Sequence, residues 1–376
     1  MPDPTGLRRL DFPEPLGYQS GPMPPSPAFV YDALPGRVVF GVGAVEQLGE
    51  EVDRLGGRRV LAIAGKRAID GLLARLGPRV AASFTDVQQH VPVEAAARAV
   101  AAAAEADADC LVAMGGGSAT GMAKAVALER QAPIVAVPTT YAGSEVTPIY
   151  GLTGPEGKRT GRDLRVLPKV VVYDPALTTG LPPEVTGPSG MNALAHCVEA
   201  TYAPGANPVT SLLAEEGARA LARGLPVAVS DPADLAARTD ALLGAWLAGA
   251  AMAAAGVGIH HQLCHLLGGA YRLPHAELHA VVLPHAVAFV APAARPQLAR
   301  LAGALGVEEV PGGVWDLGRR LGTPASLAEL GLAEAELDRA ATQAVARVVQ
   351  APRRAGVSEL RALLGAAWQG RRPPPT

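Results

Sequence analysis

Two side chains in residues 187–200, GPSGMNALAHCVEA, have the spacing of a ligand pair on a helix. Asn192 and His196 are four residues apart, which places them on one helical face with about 6 Å between their Cβ atoms. A carboxylate at the first position would complete half of a metal site, but Asn192 is neutral and a poor ligand. The pair therefore predicts either a weakened metal site or a polar pocket that works without an ion.

The histidines are concentrated in one part of the chain. Seven of the eight lie between residues 196 and 285, and six of these fall within 258–285. His261 and His265 share a helical face, and His275 follows a Gly-Gly break that allows the chain to fold back. Together with His196 they predict a cluster of imidazoles, the kind of nitrogen-rich set that first-row metals favour. The remaining residues of the region are interpreted as structural: His260, His279, His285, Cys197 and Cys264.

A glycine-rich turn supplies a second candidate site. The segment MGGGSATGMAK, 114–124, follows a predicted strand and opens a predicted helix, where backbone N–H groups and the helix N-terminus favour a phosphate. The alternative is a tight turn whose glycines serve geometry alone. The next predicted strand ends in polar residues beside the same crevice, which favours a dinucleotide. The predicted cofactor-binding residues are Gly115, Gly116, Gly117, Ser118, Thr139, Thr140 and Ser144.

The elements that position these residues follow from the apolar pattern. Short β-rich runs alternate with Ala-rich helical stretches up to residue 174, which predicts a parallel sheet covered by helices on both faces. Beyond the Pro/Gly-rich connector 174–190 the pattern is helical. The predicted fold is an α/β Rossmann-like domain followed by an all-α domain, with the site in the cleft between them. The predicted strands are 58–65, 79–87, 110–118, 132–140 and 169–175, and the predicted domains are a Pro-rich arm 1–27, the α/β domain 28–182 and the helical domain 183–376.

Composition excludes several classes of protein. The 376 residues carry a net charge of −2, which gives no electrostatic basis for binding nucleic acid. The N-terminus lacks an apolar signal segment, and three cysteines in apolar contexts favour a reducing, cytoplasmic location. The run Ala241–Ile259 is uncharged over 19 residues but consists mostly of Ala and Gly, so we expect a buried helix and no membrane span.

Several long motifs resemble one known family. The stretches GGGSATGMAK, PTTYAGSEVTPIYGLT, GKRTGRDLRVLPKVVVYDP, SGMNALAHCVEATYAPGANPVTSLLAEEG and HHQLCHLLGGAYRLPHAELHAVVLPH together are similar to the iron-containing alcohol dehydrogenase superfamily. Within it they resemble the maleylacetate reductase branch, from about residue 28 to the C-terminal GRRP. The resemblance implies an α/β nucleotide-binding domain, a helical domain and a homodimer.

The resemblance also implies roles for particular residues. The superfamily holds a divalent metal with an Asp and three His, and these positions fall on Asn192, His196, His261 and His275. His265 matches a further active-site histidine, and Asn at the first position is a property of the branch, which works without a bound metal. We therefore expect a degenerate metal site that serves as a polar catalytic pocket.

The implied reaction is the NADH-dependent reduction of maleylacetate, and of chlorinated maleylacetates, to 3-oxoadipate in the degradation of aromatic compounds. Lys158 matches a lysine near the nicotinamide ribose. Lys66 and Arg67 lie where an adenosine 2′-phosphate could be met, so NADPH is an alternative cofactor. Three further residues are predicted to bind the dicarboxylate substrate: Tyr141, Arg162 and Arg165.

Three alternative functions are consistent with the same motifs. One is a metal-dependent alcohol or aldehyde dehydrogenase that tolerates Asn192. Another is a sugar-phosphate cyclase related to dehydroquinate synthase, although the chain has only four lysines for a phosphate pocket. A third is a biosynthetic enzyme that uses the scaffold on a different substrate.

Overall fold

The computed structural model describes residues 29–34, 36–347 and 352–375, and of Lys158 it describes the backbone only. The predicted Pro-rich arm 1–27 lies outside the described residues. Residues Asp32–Thr376 form one compact unit. The boundary after residue 182 stays a prediction.

A six-stranded sheet forms the first half of this unit. All of its strand pairs are parallel, and the spatial order is β1-β8-β5-β4-β2-β3. A separate antiparallel hairpin consists of β6 and β7. The strands are β1 Arg37–Phe40, β2 Val60–Ala64, β3 Val80–Phe84, β4 Cys110–Gly115, β5 Ile134–Pro138, β6 Ile149–Gly154, β7 Gly157–Arg162 and β8 Val170–Tyr173.

Thirteen α-helices accompany these strands in the described part of the chain. Four of them lie among the strands of the sheet, and nine follow the last strand. They are α1 Leu48–Arg54, α2 Ile69–Leu76, α3 Val93–Glu105, α4 Gly117–Arg130, α5 Pro183–Ala200, α6 Pro208–Ser230, α7 Leu235–Ala255, α8 Ile259–Tyr271, α9 His275–Val290, α10 Arg295–Leu305, α11 Val310–Arg320, α12 Leu337–Arg347 and α13 Val357–Trp368.

Alternation along the central strands explains why helices cover both faces of the sheet. In β2, Leu61 and Ile63 belong to the core shared with α3 and α4. Val60 and its alternate neighbours belong to the core shared with α1 and α2. Because side chains alternate between the two faces and both faces are buried, the strand is a continuous apolar run, as parallel sheets require. The predicted α/β half followed by a helical half is confirmed.

The Ala/Gly-rich run that begins at Ala241 belongs to α7, which packs very closely against α6. A Cβ atom added at Gly244 would lie 2.8 Å from the carbonyl oxygen of Gly217, so the close approach of α7 to the backbone of α6 requires glycine there. One described helical stretch, His275–Ala293, is long and apolar enough to cross a membrane by length and composition, and 72% of its apolar window is buried inside the structure. α7 and α8 together also pass that test, with a bend of 97° between them. Such burial is that of core helices, so these stretches are weak evidence for a membrane span.

Three strands of the structure are not among the predicted strands, namely β1 and the two strands of the β6–β7 hairpin. β1 is a four-residue strand at the edge of the sheet, too short for a periodic signal. The hairpin is rich in glycine and arginine, and its exposed residues provide little hydrophobic alternation. The five predicted strands correspond to β2, β3, β4, β5 and β8.

Candidate active site

The glycine-rich turn lies where two neighbouring strands end. Gly115, the last residue of β4, pairs with Pro138, the last residue of β5. Its φ of 149° is a conformation that side chains rarely adopt. The carbonyl oxygen of Gly115 accepts a hydrogen bond from the Thr139 N–H at 3.0 Å. The structure thus brings the predicted residues of the two strand ends together beside the N-terminus of α4, which can hold a phosphate.

Glycine is needed at the next position because the opposite loop approaches the turn closely. A Cβ atom at Gly116 would lie 3.1 Å from both Cγ2 and Oγ1 of Thr140. Because these glycines have no side chains, none of them covers the backbone N–H groups of the turn. Ser144 lies farther along the same loop, and its Oγ accepts a hydrogen bond from Lys124 Nζ at 3.3 Å.

The histidines form a connected cluster on α5, α8 and α9. The ring of His196 stacks on that of His261, with 4.8 Å between centroids and 20° between planes. His265 follows at 6.0 Å from His261, and His275 at 6.4 Å from His265. His196 and His261 are buried, whereas His265 and His275 are exposed. The four histidines predicted as a group therefore span from the interior to the surface.

A fifth histidine joins this cluster that the sequence analysis interpreted as structural. The ring of His279 lies 4.6 Å from His261 and 4.4 Å from His275, and both of its nitrogens are buried without a hydrogen-bond partner. His279 is four residues after His275 on α9, so the i, i+4 spacing was an available signal. His260, by contrast, is buried and its Nε2 pairs with the carbonyl oxygen of His279 at 3.0 Å, which fits a structural role.

A buried carboxylate that the sequence analysis missed orients the central histidine. Glu199 is completely buried, and its Oε2 lies 2.5 Å from Nδ1 of His261. Its Oε1 accepts a hydrogen bond from the backbone N–H of His260 at 2.8 Å. With Nδ1 engaged, Nε2 of His261 is the free nitrogen, and it is buried without a partner. Glu199 is three residues after His196 on α5, a spacing that places both on one face.

Two buried polar atoms on α5 also lack a hydrogen-bond partner, namely Oδ1 of Asn192 and Nδ1 of His196. Buried polar groups without partners are rare because each is costly. Three such atoms, on Asn192, His196 and His261, therefore make these residues candidates for contacting a polar ligand.

The loop after β5 brings the two candidate sites together. At Gly143, with a φ of 75°, an added Cβ atom would lie 3.2 Å from Nδ1 of His196. The same loop begins with Thr139 and Thr140 at the glycine-rich turn. We call residues 139–149 the bridging loop. Within this loop, only a few residues lie between the part beside the glycine-rich turn and the part beside the histidine cluster.

The three residues predicted to bind substrate are not brought to one place. Tyr141 is completely buried, and its hydroxyl accepts a hydrogen bond from Arg238 Nη1 at 3.1 Å. Arg165 pairs with Asp163 and donates to the carbonyl oxygen of Leu128, about 16 Å along α4 from the glycine turn. These contacts favour structural roles for both residues, and their predicted substrate contacts stay predictions.

Arg162 is better placed than the other two. Its Nη1 lies 3.4 Å from the carbonyl oxygen of Ala253, close to the end of α7 that precedes the histidine-bearing α8. Its substrate contact also stays a prediction. The cofactor contact predicted for Lys158 stays a prediction, because the structure describes only the backbone of this residue.

The buried histidines predict a loss of stability in acid. Burial lowers their pKa values, to about 3 for His260 and about 4 for His285. The folded state keeps these rings neutral, whereas the unfolded chain takes up protons below pH 6.5, so the free energy of unfolding falls as the pH falls. The histidines whose pKa values are lowered are His196, His260, His261, His279 and His285.

We expect His260 and His285 each to remove roughly 2 kcal/mol between pH 7 and pH 5, measured by urea unfolding at both values. Burial raises the pKa values of Glu145 and Glu199, which opposes the effect, but the histidines outnumber them. The variant His285→Leu should lose correspondingly less stability over this interval. An unchanged free energy of unfolding between pH 7 and pH 5 would contradict the prediction.

Comparisons with known proteins all match this chain to one family. The model of iron-containing alcohol dehydrogenases matches residues 35–175, and that of the C-terminal part of the Fe-containing alcohol dehydrogenase family matches residues 186–368. The chain is 49% identical over 352 residues to maleylacetate reductase of Burkholderia cepacia, covering 92% of this chain and 99% of that protein. It is 51% identical over 352 residues to maleylacetate reductase 2 of Cupriavidus pinatubonensis, covering 92% and 98%.

Solved structures agree with these sequence matches. The fold is similar to the crystal structure of maleylacetate reductase from Agrobacterium tumefaciens, with a TM-score of 0.89 and 46% identity. The similarity covers 92% of this chain and 99% of that one.

Proposed function

The chain belongs to the iron-containing alcohol dehydrogenase family, and from its match to maleylacetate reductases along almost their whole length we infer that it reduces maleylacetate to 3-oxoadipate with NADH or NADPH. That match is the observation on which the inference rests. The enzyme is an oxidoreductase, and its reaction belongs to the degradation of aromatic compounds. Chlorinated maleylacetates are proposed as further substrates.

The chemistry requires stabilisation of a developing negative charge. Maleylacetate is an enone flanked by two carboxylates. A bound NAD(P)H would supply a hydride to the alkene carbon β to the ketone and leave as NAD(P)⁺. The C=C electron pair would then move toward the carbonyl as an enolate, and protonation of the α carbon would complete 3-oxoadipate. Hydrogen-bond donors aimed at the enolate oxygen lower the barrier of the hydride step.

The Glu199–His261 pair is suited to this task. When the pair carries two protons, one lies between Oε2 and Nδ1 and the other is on Nε2, which can then donate to the enolate oxygen. When the Nε2 proton leaves, the remaining proton still joins carboxylate and imidazole. The 2.5 Å contact keeps the ring in one orientation throughout. We assign His261 as the principal donor, with His196 and Asn192 completing the polar wall.

The exposed histidines provide a route for the proton. His265 lies beside His261 on α8 and is exposed, so it can exchange protons with solvent and with the pocket. His275 continues the row at the start of α9. We therefore assign His265 as the relay and His275 as its neighbour at the entrance.

The donor set argues against a resident divalent ion. A neutral amide, Asn192, stands at one position, and the nearby carboxylate of Glu199 is already bonded to His261 and to the His260 N–H. His260, His261 and His279 have nitrogens within 4.8 Å of one another, but both nitrogens of His260 have partners. An amide in place of the carboxylate removes one negative charge from the ligand set and so lowers its affinity for a divalent ion. We propose that catalysis uses the imidazoles alone.

The cofactor is proposed to lie along the bridging loop. Its phosphates would bind the N–H groups of the glycine turn and α4, with Thr139, Thr140 and Ser144 beside them and Lys158 near the nicotinamide ribose. Exposed Lys66 and Arg67 follow β2, where they could meet a 2′-phosphate, so NADPH is proposed as an alternative to NADH.

Arg162 is proposed to bind one substrate carboxylate, with Tyr141 and Arg165 retained as weaker candidates. The family resemblance supports a homodimer and the domain boundary after residue 182. The three cysteines, all buried and free, are compatible with the cytoplasm that we propose as its location.

The function is tested by following NADH oxidation with maleylacetate and identifying the product by mass spectrometry. With NADH deuterated at the transferred position, we expect 3-oxoadipate with one deuterium on the carbon β to the ketone. A metal-dependent alcohol or aldehyde dehydrogenase would instead turn over simple alcohols or aldehydes faster than maleylacetate, and that result would overturn the proposal.

A further inference from the structure

A buried lysine that the proposed chemistry does not use binds the second half of the bridging loop. Lys124 lies on α4 and is completely buried. Its Nζ donates hydrogen bonds to the backbone carbonyl oxygens of Ser144, Thr147 and Ile149, at 2.7, 2.8 and 2.7 Å. The Thr147 hydroxyl lies 3.2 Å from the same nitrogen. The three N–H groups of one ammonium thus meet three carbonyls of one short segment.

Glu145 is the charged group that acts on this lysine. The nearby Glu145 is buried and accepts a hydrogen bond from the Tyr173 hydroxyl at 2.8 Å. Burial lowers the pKa of Lys124 to about 7, and the charge of Glu145 opposes this shift. A buried ammonium is costly, and here hydrogen bonds to three carbonyl oxygens, which an apolar side chain could not form, offset that cost. Packing alone therefore gives no reason for a lysine here.

The segment that Lys124 binds continues directly into the part of the loop that contacts both candidate sites. The Thr139 N–H fixes the loop to Gly115, and Gly143 lies against the ring of His196. Gly143 also packs against α7, since a Cβ atom at Gly249 would lie 3.0 Å from the Gly143 carbonyl oxygen. Between Gly143 and Ile149 the loop forms only a short 3-10 turn, and two buried side chains hold it there: Lys124 at three carbonyl oxygens and Tyr173 at Glu145.

We propose that Lys124 is a positioning residue for hydride transfer: it holds residues 144–149 so that the bridging loop sets the nicotinamide against His196 and the histidine cluster. The proposal deepens the proposed reductase function and rests on it. Lys124 contacts neither reacting group, so it acts through the backbone of the loop. Small displacements at this point are expected to affect the chemical step more than the affinity for cofactor.

The test compares Lys124→Met with Lys169→Met, which makes the same change at an exposed lysine of the same half. For Lys124→Met we expect kcat to fall by about 10- to 100-fold, while the Kd for NADH changes by less than about threefold. Amide hydrogen exchange should become faster in peptides covering 139–149 and stay unchanged elsewhere. Lys169→Met should match the wild type in all three measurements.

A wild-type kcat and unchanged exchange in Lys124→Met would overturn the proposal. If that variant does not fold, Lys124→Gln keeps a polar side chain with only two N–H groups for the three carbonyls and should lower kcat by about threefold or more, with faster exchange in the loop. No change in either quantity would also overturn it. The exchange measurement needs no substrate, so it tests the loop's dependence on Lys124 even if the wild type does not reduce maleylacetate.

Discussion

Replacing His261 by alanine is expected to lower kcat for maleylacetate by about 10²–10³-fold, because removal of one donor to a developing oxyanion has an effect of that size. Nε2 of His261 is the buried, unpaired nitrogen at the centre of the cluster, and Glu199 fixes its direction. Both ring nitrogens of the neighbouring His279 lack a hydrogen-bond partner, so no carboxylate orients that ring as Glu199 orients His261. Steady-state kinetics with NADH and maleylacetate measure the effect.

The matched control is His285→Ala, which removes another buried imidazole that makes no ring contact with the cluster among the described residues. It is expected to cost stability while keeping kcat within about threefold of the wild type. A His261→Ala enzyme with full turnover and unchanged KM would contradict the assignment of His261.

The second large effect is expected at the glycine turn. Gly116→Val should raise the Kd for NADH by about 100-fold, measured by fluorescence titration, because the new side chain enters the space between the turn and Thr140 and covers the phosphate-binding N–H groups. Gly303→Val is the control, since a Cβ atom there meets open space on α10. Equal NADH affinity in the two variants would show that the cofactor phosphates bind elsewhere.

The sheet was predictable from the sequence because its central strands are buried on both faces. Runs such as 110–118 and 132–140 begin with consecutive apolar residues and end in turn residues, so strand and turn signals agree. The hairpin β6–β7 gave no such signal, since β6 is only half-buried and β7 is mostly exposed and carries arginines where apolar residues would alternate. Exposed short strands are specified by their neighbours more than by their own residues.

The sequence predicted which histidines form the candidate site but not the hydrogen bonds that hold it. His196, His261, His265 and His275 do lie together, as their concentration in the sequence indicated. Glu199 was missed because one carboxylate in an apolar helix has no distinguishing pattern until α8 brings His261 to it. The same holds for Lys124, whose three acceptors are backbone atoms that no side-chain motif reports.

Arg165 is a residue that the sequence placed at the substrate site and that the structure pairs with a neighbouring carboxylate instead. A run of basic residues before β8 suggested a site for a dianionic substrate, but charge in a sequence does not give direction. In the structure Asp163, two residues away, pairs with Arg165 and satisfies its charge locally. Nearby carboxylates of this kind are the first alternative to consider for any basic segment.

The central claim, that this chain reduces maleylacetate in a pocket of imidazoles without a metal, is tested most directly by one assay. NADH oxidation with maleylacetate is measured on protein analysed for metals, before and after dialysis against a strong chelator. We expect rapid turnover by protein with far less than one metal ion per chain, unchanged by the chelator. Turnover that disappears with the chelator and returns with iron or zinc would contradict the claim.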